Sequence, residues 1–474
     1  LKGYLETMLM GLKCVVRVFF ATFLIYITSG YQVALFAETS TNFLSWDQKH
    51  DSVDADISTW NLRELLEQIS TATKWRVYLD PDATASTSVK FSGLKGGDAL
   101  HAMLGRLNFL VVPETNGPSG LYVFRTSRRQ ATTLISPPVK KAVPIPNQIV
   151  VTLKPGSKTK IEDLAKSLGA KIIGRIDGQD TYLLQFEDVA ATTYAREQLA
   201  ENPDVAGIDN NYPIDSPPSV VGSSSANPDL ELKPVTNTGP CQLIVGLIDT
   251  PIQSLGASMD QFLKPQIHVT GESNVASSGA LSHATAMAET ILDAIQPKTG
   301  GTTSVRILPV DVYGSSHTTS TFNVANGIVQ AVNNGANIIN LSLGGTGDSQ
   351  VLHDTIIQVA KQGIPIYAAA GNDPVTTPTY PAAYPEVKAV TATDRSGNIA
   401  SYANRGSFIS MAAPGDNVVN FDGKQYQVEG TSTSTAFVSG AAAGLADSAH
   451  VCADQAQSLL QKTLPNAKSL KVSQ

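Results

Sequence analysis

Four polar residues of this 474-residue chain stand where an apolar segment stops or an Ala-rich one starts: Asp249, His283, Asn372 and Ser432. Ser432 follows Gly430-Thr431 and opens a run that continues to Ala441-Ala442-Ala443-Gly444. That puts a hydroxyl at a helix start, where the helix dipole favours negative charge developing beside it. Ser and Thr are also ordinary N-cap residues, so the segment alone does not decide between chemistry and capping. Asp249 directly follows the strand-like run Leu243 to Ile248, and His283 sits behind Ser282 at the start of a helical stretch. His268 and His317 remain competitors for the same imidazole role. Asn372 follows Ala368-Ala369-Ala370-Gly371, so a side-chain amide is delivered at another strand end. Chemically the set fits acyl transfer. A serine hydroxyl is too weakly acidic to attack an amide unaided, an imidazole can take its proton, a carboxylate can hold the imidazole tautomer, and an amide N–H can stabilise an oxyanion.

The elements that must position these groups are legible in the same region. From Cys241 onward, apolar runs at Leu243 to Ile248, Val305 to Val312, Asn337 to Leu343, Pro365 to Ala370 and Val387 to Thr393 alternate with helical patterns. This predicts an α/β domain over 241–474 with a doubly wound parallel sheet, whose chemistry belongs at the carboxyl ends of the strands. Upstream, Pro-rich breaks at Ser136-Pro137-Pro138 and Pro144-Ile145-Pro146 introduce a unit over 147–213. Its runs Gln148 to Leu153, Ile161 to Leu168, Lys171 to Ile176, Thr181 to Phe186, Ala190 to Ala200 and Val205 to Asn210 read βαββαβ, a ferredoxin-like order. Residues 214–240, rich in Ser and Pro, read as a linker. Residues 51–126 combine the helical patterns Leu62 to Ile69 and Asp98 to Leu104 with short apolar runs, which predicts a small α/β domain.

Composition narrows the function classes. The formal charge is −7 and no Lys/Arg cluster recurs, so nucleic acid is excluded as a partner. Lys13 and Arg17 precede the apolar stretch Val18 to Ile27, and a milder one ends at Ala37. Residues 1–37 therefore read as a signal peptide or a membrane anchor, and either sends the remainder across a membrane. Cys14 falls inside that segment, which leaves Cys241 and Cys452 as a candidate disulfide pair in an oxidising compartment.

Six motifs together resemble the subtilisin family of serine peptidases over about residues 241–474: Leu247-Ile248-Asp249-Thr250, Ser282-His283-Ala284-Thr285, Asn340-Leu341-Ser342-Leu343-Gly344-Gly345, Ala370-Gly371-Asn372, Ala412-Ala413-Pro414-Gly415 and Gly430-Thr431-Ser432. The resemblance implies Ser432 as nucleophile, His283 as general base and acid, Asp249 as orienting carboxylate and Asn372 as oxyanion donor. It further implies that Ser342, Leu343 and Gly344 pair with an extended peptide while Ala369, Ala370 and Gly371 line the adjoining pocket. Val151-Thr152-Leu153-Lys154-Pro155-Gly156 and Asn202-Pro203-Asp204-Val205 look like the inhibitor and chaperone propeptide that precedes many such proteases. The 51–126 module resembles the short N-terminal domain of secretins and TonB-dependent transducers, which implies an envelope partner. The implied function is an exported serine endopeptidase, periplasmic, envelope-bound or extracellular, made as a self-processed zymogen and acting on proteins or peptides. A catalytically impaired scaffold of the same fold is the alternative. A Gly-x-Ser-x-Gly elbow is absent around Ser432, which argues against an esterase or lipase.

Departures from the family pattern carry their own expectations. Pro251 follows Asp249-Thr250 where the family has Gly, and proline cannot adopt positive φ, so the turn carrying the acid is expected to differ locally. Ala284 stands where Gly is usual after the histidine and is expected to add bulk near the substrate cleft. Ala436 and Phe437 replace Pro and His, a helix-compatible change. No cofactor is implied. A structural calcium is compatible with the family, but its Asn-rich loop is not recognisable in Ile291 to Thr303.

Overall fold

The computed structural model describes residues 42–113, 119–135, 142–217, 230–236, 239–271, 280–464, 467 and 470. The expected targeting segment 1–37 and much of the 214–240 linker lie outside these residues. Two compact units divide the chain: one runs to Ile135 without Val112–Gly120, and the other comprises the remainder.

In the first unit, Asn61 and Glu64 form a capping box that starts the helix Leu62–Thr73. Its buried residues Leu62, Leu65, Leu66 and Ile69 fall at helical spacing and form one stripe. That stripe packs with Leu100 and Met103 of the helix Gly96–Leu104 and with strand residues Val77, Leu121 and Val123. A three-stranded sheet holds Phe43–Asp47, Ser52–Asn61 and Ser86–Leu94, and a four-stranded sheet ends on Thr133–Ile135. Strands therefore flank the 51–126 span on both sides.

The second unit begins with a four-stranded antiparallel sheet in the order Val205–Asp209, Gln148–Leu153, Thr181–Gln185, Lys171–Ile176. With helices Ile161–Ser167 and Val189–Ala200 this is the ferredoxin-like arrangement read from the sequence. Strand alternation gives each face its own partner. Ile149, Val151 and Leu153 pack with Ala165, Ala195 and Leu199 of the sheet's own helices. Val150, Ile176 and Leu183 instead share a core with Phe322 and Val329, on the helix Thr321–Asn333 of the following domain. The fit is close: a Cβ on Gly174 would stand 2.5 Å from a ring carbon of Phe322. Polar groups finish the contact at two helix starts, whose first N–H groups lack intrahelical partners. Asn211 Oδ1 accepts from Phe322 N at 3.1 Å, and Asp209 Oδ2 accepts from Ser349 Oγ at 2.7 Å and Val351 N at 3.0 Å.

The following domain is a doubly wound α/β fold around seven parallel strands, in the order Ile267–His268, Arg306–Asp311, Ile244–Asp249, Ile338–Leu341, Ile366–Ala369, Lys388–Thr393, Met411–Pro414. Parallel strands covered on both faces read as apolar runs, which made five of the seven visible in the sequence; Ile267–His268, only two residues long, and Met411–Pro414 were not read as strands. Val245 and Leu247 face the helices His283–Thr299 and Thr431–Ala449, while Ile244 and Ile248 face Thr321–Asn333 and Gln350–Lys361. The first pair of helices matters most for the site. Their closest approach is set by Gly440, where a Cβ would stand 2.2 Å from the Ile291 carbonyl oxygen, so only glycine allows that spacing. A disulfide joins Cys241 to Cys452 with a Cα separation of 5.4 Å, tying the lead-in to the first central strand to the end of the Ser432 helix.

Candidate active site

Asp249 is the last residue of its strand and has no exposed surface, and Ser282 caps the helix that begins with His283 by accepting from Thr285 N. The two meet directly. His283 Nδ1 lies 2.8 Å from Asp249 Oδ1 and 2.9 Å from Oδ2. Neither competing histidine takes this place: His268 Nδ1 is 3.2 Å from Asp311 Oδ2, and His317 contributes its backbone carbonyl to Ser216 N. Among the described residues, His283 Nε2 has no hydrogen-bond partner, which leaves it available as an acceptor.

Thr250, in the acid's motif but given no role by it, and Gln253, outside every motif, hold this pair. Thr250 Oγ1 accepts from Ala284 N at 3.0 Å, so the loop after the acid satisfies an orphan donor of the histidine helix. Gln253 ties the same two segments three times: its backbone N donates to Thr285 Oγ1, its Oε1 accepts from Ser282 N, and its Nε2 donates to Ala280 O. Only the position of Thr250 next to Asp249 offered a sequence signal; Gln253 carried none. The turn does not need the glycine that Pro251 replaces, because no residue from Asp249 to Leu255 has positive φ. Ala284 departs from expectation. It is 1% exposed and lies in the core cluster with Ala286 and Met287, so its methyl packs inward rather than crowding the cleft.

Ser432 is the second residue of the helix Thr431–Ala449 and is 8% exposed. Its Oγ donates to Ser342 O at 3.1 Å, and Ser342 Oγ returns a hydrogen bond to Ser432 O at 3.2 Å. Ser342 thus joins the nucleophile candidate to the 342–344 segment. Before the helix, Gly430 has φ 150°, a backbone conformation that favours glycine, and a Cβ there would press on Asn372 Nδ2 at 3.2 Å. Asn372 Oδ1 accepts from Thr431 N at 2.9 Å and from Thr431 Oγ1 at 3.0 Å. Thr431 Oγ1 also accepts from Gly371 N at 3.1 Å. With Oδ1 committed, the ring of contacts fixes which way the amide points, and Asn372 Nδ2 has no partner among the described residues.

The expected peptide-binding segments lie side by side. A Cβ on Gly344 would stand 3.1 Å from the Tyr380 carbonyl oxygen and 3.9 Å from that of Ala369. Ala369 ends its strand, while Ala370 O accepts from Asn404 Nδ2 and Thr379 Oγ1. Gly371 has φ 105° and runs so near Asn404 that a Cβ would fall 2.5 Å from its Nδ2. Leu343 is buried in the core cluster that also receives Ile214, from the segment following the ferredoxin-like sheet. Ile291–Thr299 is helical, its one acid Asp293 bonds Asn417, and no cluster of three His, Cys, Asp or Glu suited to a metal occurs among the described residues.

Asp249, His283, Asn372 and Ser432, carried at the carboxyl edge of a doubly wound parallel sheet, define a subtilisin-like α/β domain, and the sheet ahead of it has the form of a prodomain. Comparisons with known proteins agree. Residues 242–474 match the subtilase family, and residues 131–211 match the fervidolysin N-terminal prodomain. Subtilisin Savinase of Lederbergia lenta is 37% identical over 142 residues, covering 30% of this chain and 53% of that protein. Thermitase of Thermoactinomyces vulgaris is 39% identical over 142 residues, covering 30% and 51%. Halolysin of Haloferax mediterranei is 42% identical over 154 residues, covering 32% and 30%. The chain therefore spans about half or less of the length of these curated relatives. Among solved structures, fervidolysin of Fervidobacterium pennivorans, a keratinolytic enzyme related to subtilisin, shares the fold with a TM-score of 0.51 at 18% identity, over 65% of this chain and 55% of its own. The epidermin leader peptide processing serine protease of Staphylococcus aureus gives a TM-score of 0.51 at 18% identity, over 66% and 92%.

Proposed function

We propose that this chain is an exported serine endopeptidase that hydrolyses peptide bonds through an acyl-enzyme on Ser432 and is made as a self-processed zymogen. The observation that carries the reading is the Asp249–His283 pair, with His283 Nε2 and Asn372 Nδ2 both uncommitted among the described residues. Rotation of the Ser432 side chain redirects its O–H from Ser342 O to His283 Nε2. Oγ then bonds the substrate carbonyl carbon as its proton passes to Nε2, and Asp249 stabilises the imidazolium. Asn372 Nδ2 and the Ser432 N–H hold the oxyanion. Collapse breaks the C–N bond, the amine leaves with the proton from His283, and water repeats the sequence to free Ser432. No step calls for a cofactor or metal.

The reading assigns 147–213 as an intramolecular inhibitor and folding aid, supported by its shared core with Phe322 and its contacts at two helix starts. It assigns 51–126 as a secretin- or TonB-like module for an envelope partner, on topology alone. Export to the periplasm, envelope or medium follows from the targeting segment read over 1–37 and from a disulfide that needs an oxidising compartment. Ser432→Ala is expected to abolish peptide hydrolysis and any self-cleavage between residues 211 and 240. Unchanged processing of the purified variant would overturn the proposal. The alternative, an impaired scaffold, draws on one observation, that Ser432 Oγ bonds Ser342 O rather than His283.

A further inference from the structure

The segment after the ferredoxin-like sheet behaves as an added strand. Pro213, Ile214 and Asp215 pair antiparallel with Ser320, Thr319 and Thr318, and Ser216 N donates to His317 O at 2.7 Å. Ile214 is 2% exposed in a cluster with Tyr313, Phe322 and Leu343. Main-chain pairing plus a pocket for an alternate side chain is how an extended peptide is held by strand addition. The pairing has a feature that ordinary ladders lack: Tyr313 Oη donates to the Asp215 carbonyl at 3.1 Å.

We infer that Tyr313 is a substrate-binding residue whose phenol O–H bonds a backbone carbonyl of the docked peptide, at the place Asp215 occupies in the zymogen. The inference rests on the endopeptidase reading above. Tyr313 is 2% exposed, and among the described residues Asp215 O is its hydroxyl's hydrogen-bond partner. Departure of the tail uncovers this donor, and a peptide chain along the same path offers it a backbone carbonyl in the position that Asp215 O now holds. The donor is also fixed in place. Asp311 Oδ1 accepts from Tyr313 N at 3.0 Å and Gly314 N at 2.8 Å, while Val312 N donates to Asp249 O at 3.1 Å. The turn that aims the phenol is thereby bonded to the residue carrying the candidate acid. Burial, with Asp249 and Asp215 adding their charge, holds the phenol far above its ordinary ionisation range, so it stays a donor. A bond to backbone favours extended peptides over short esters without selecting sequence.

The test compares wild type with Tyr313→Phe on a peptide spanning residues 212–217 of the tail and on a single-residue ester. The ratio of kcat/KM for peptide over ester is expected to fall about three- to tenfold, through KM. A parallel arm leaves the protein unmodified: the tail peptide with the Asp215 carbonyl replaced by methylene is expected to inhibit wild type about three- to tenfold more weakly than the parent. An unchanged ratio, equal loss on both substrates, or equal inhibition by the two peptides would overturn the inference and leave the endopeptidase reading standing. Wild type that hydrolyses neither substrate and takes no fluorophosphonate on Ser432 would overturn both.

Discussion

Both carboxylate oxygens of Asp249 lie within 2.9 Å of His283 Nδ1, so one buried acid addresses one ring nitrogen from two sides. This geometry fixes the tautomer with the proton on Nδ1 and the lone pair on Nε2. Asp249→Asn keeps the shape and removes the charge. It is expected to lower kcat by about ten-thousandfold with little change in KM, measured on a peptide substrate. A loss below about tenfold would mean that the pair is structural.

Thr431 holds Asn372 Oδ1 and so orients the Nδ2 that the proposed mechanism assigns to the oxyanion. Asn372→Ala is expected to cost about a hundred- to a thousandfold in kcat while KM stays within a few fold. A change confined to KM would reassign the amide to ground-state binding.

Asp293, on the His283 helix, has its carboxyl pushed up to about 6 by burial, against which the Asn417 hydrogen bond works only in part. A raised acid penalises the ionised folded state. The chain therefore carries no penalty from this group below about pH 4, loses stability as pH rises toward 6, and stays penalised above it. The penalty is at most roughly 3 kcal/mol. Asp293→Asn is expected to raise stability at pH 8 and leave it unchanged at pH 4, as read from urea unfolding at the two pH values. Equal effects at both would contradict the assignment.

Asp209 accepts from Ser349 Oγ and Val351 N at the start of the helix Gln350–Lys361. In full-length protein carrying Ser432→Ala, Asp209→Ala is expected to lower unfolding stability by about 1–2 kcal/mol. No change would mean that the Asp209 contacts add nothing to what Asn211, the paired strand Pro213–Asp215 and the apolar core around Phe322 already supply.

The sequence exposed what repeats and what is apolar. Leu243–Ile248 lies inside a sheet covered on both faces, so it had to be an apolar run, and the polar residue after it, Asp249, stood out. Phe43–Asp47 was missed because its burial alternates along a half-exposed edge strand. The hairpin Asp416–Phe421 with Lys424–Glu429 was missed for a related reason, its residues being mostly polar and half-buried. Asp249, His283, Asn372 and Ser432 could be singled out because the proposed chemistry dictates their types, and the structure pairs Asp249 with His283 and ties Asn372 to Thr431 beside Ser432. Gln253, Thr431 and Tyr313 act through contacts with segments far along the chain, and no local spacing reveals such partners.

The central claim is that Ser432 is a nucleophile activated by His283. Treating the purified protein with a serine-directed fluorophosphonate and mapping the adduct by peptide mass spectrometry tests it most directly. A single adduct on Ser432, lost in His283→Ala and sparing Ser434, is the predicted result. No adduct on Ser432, or labelling that persists unchanged in His283→Ala, would contradict it.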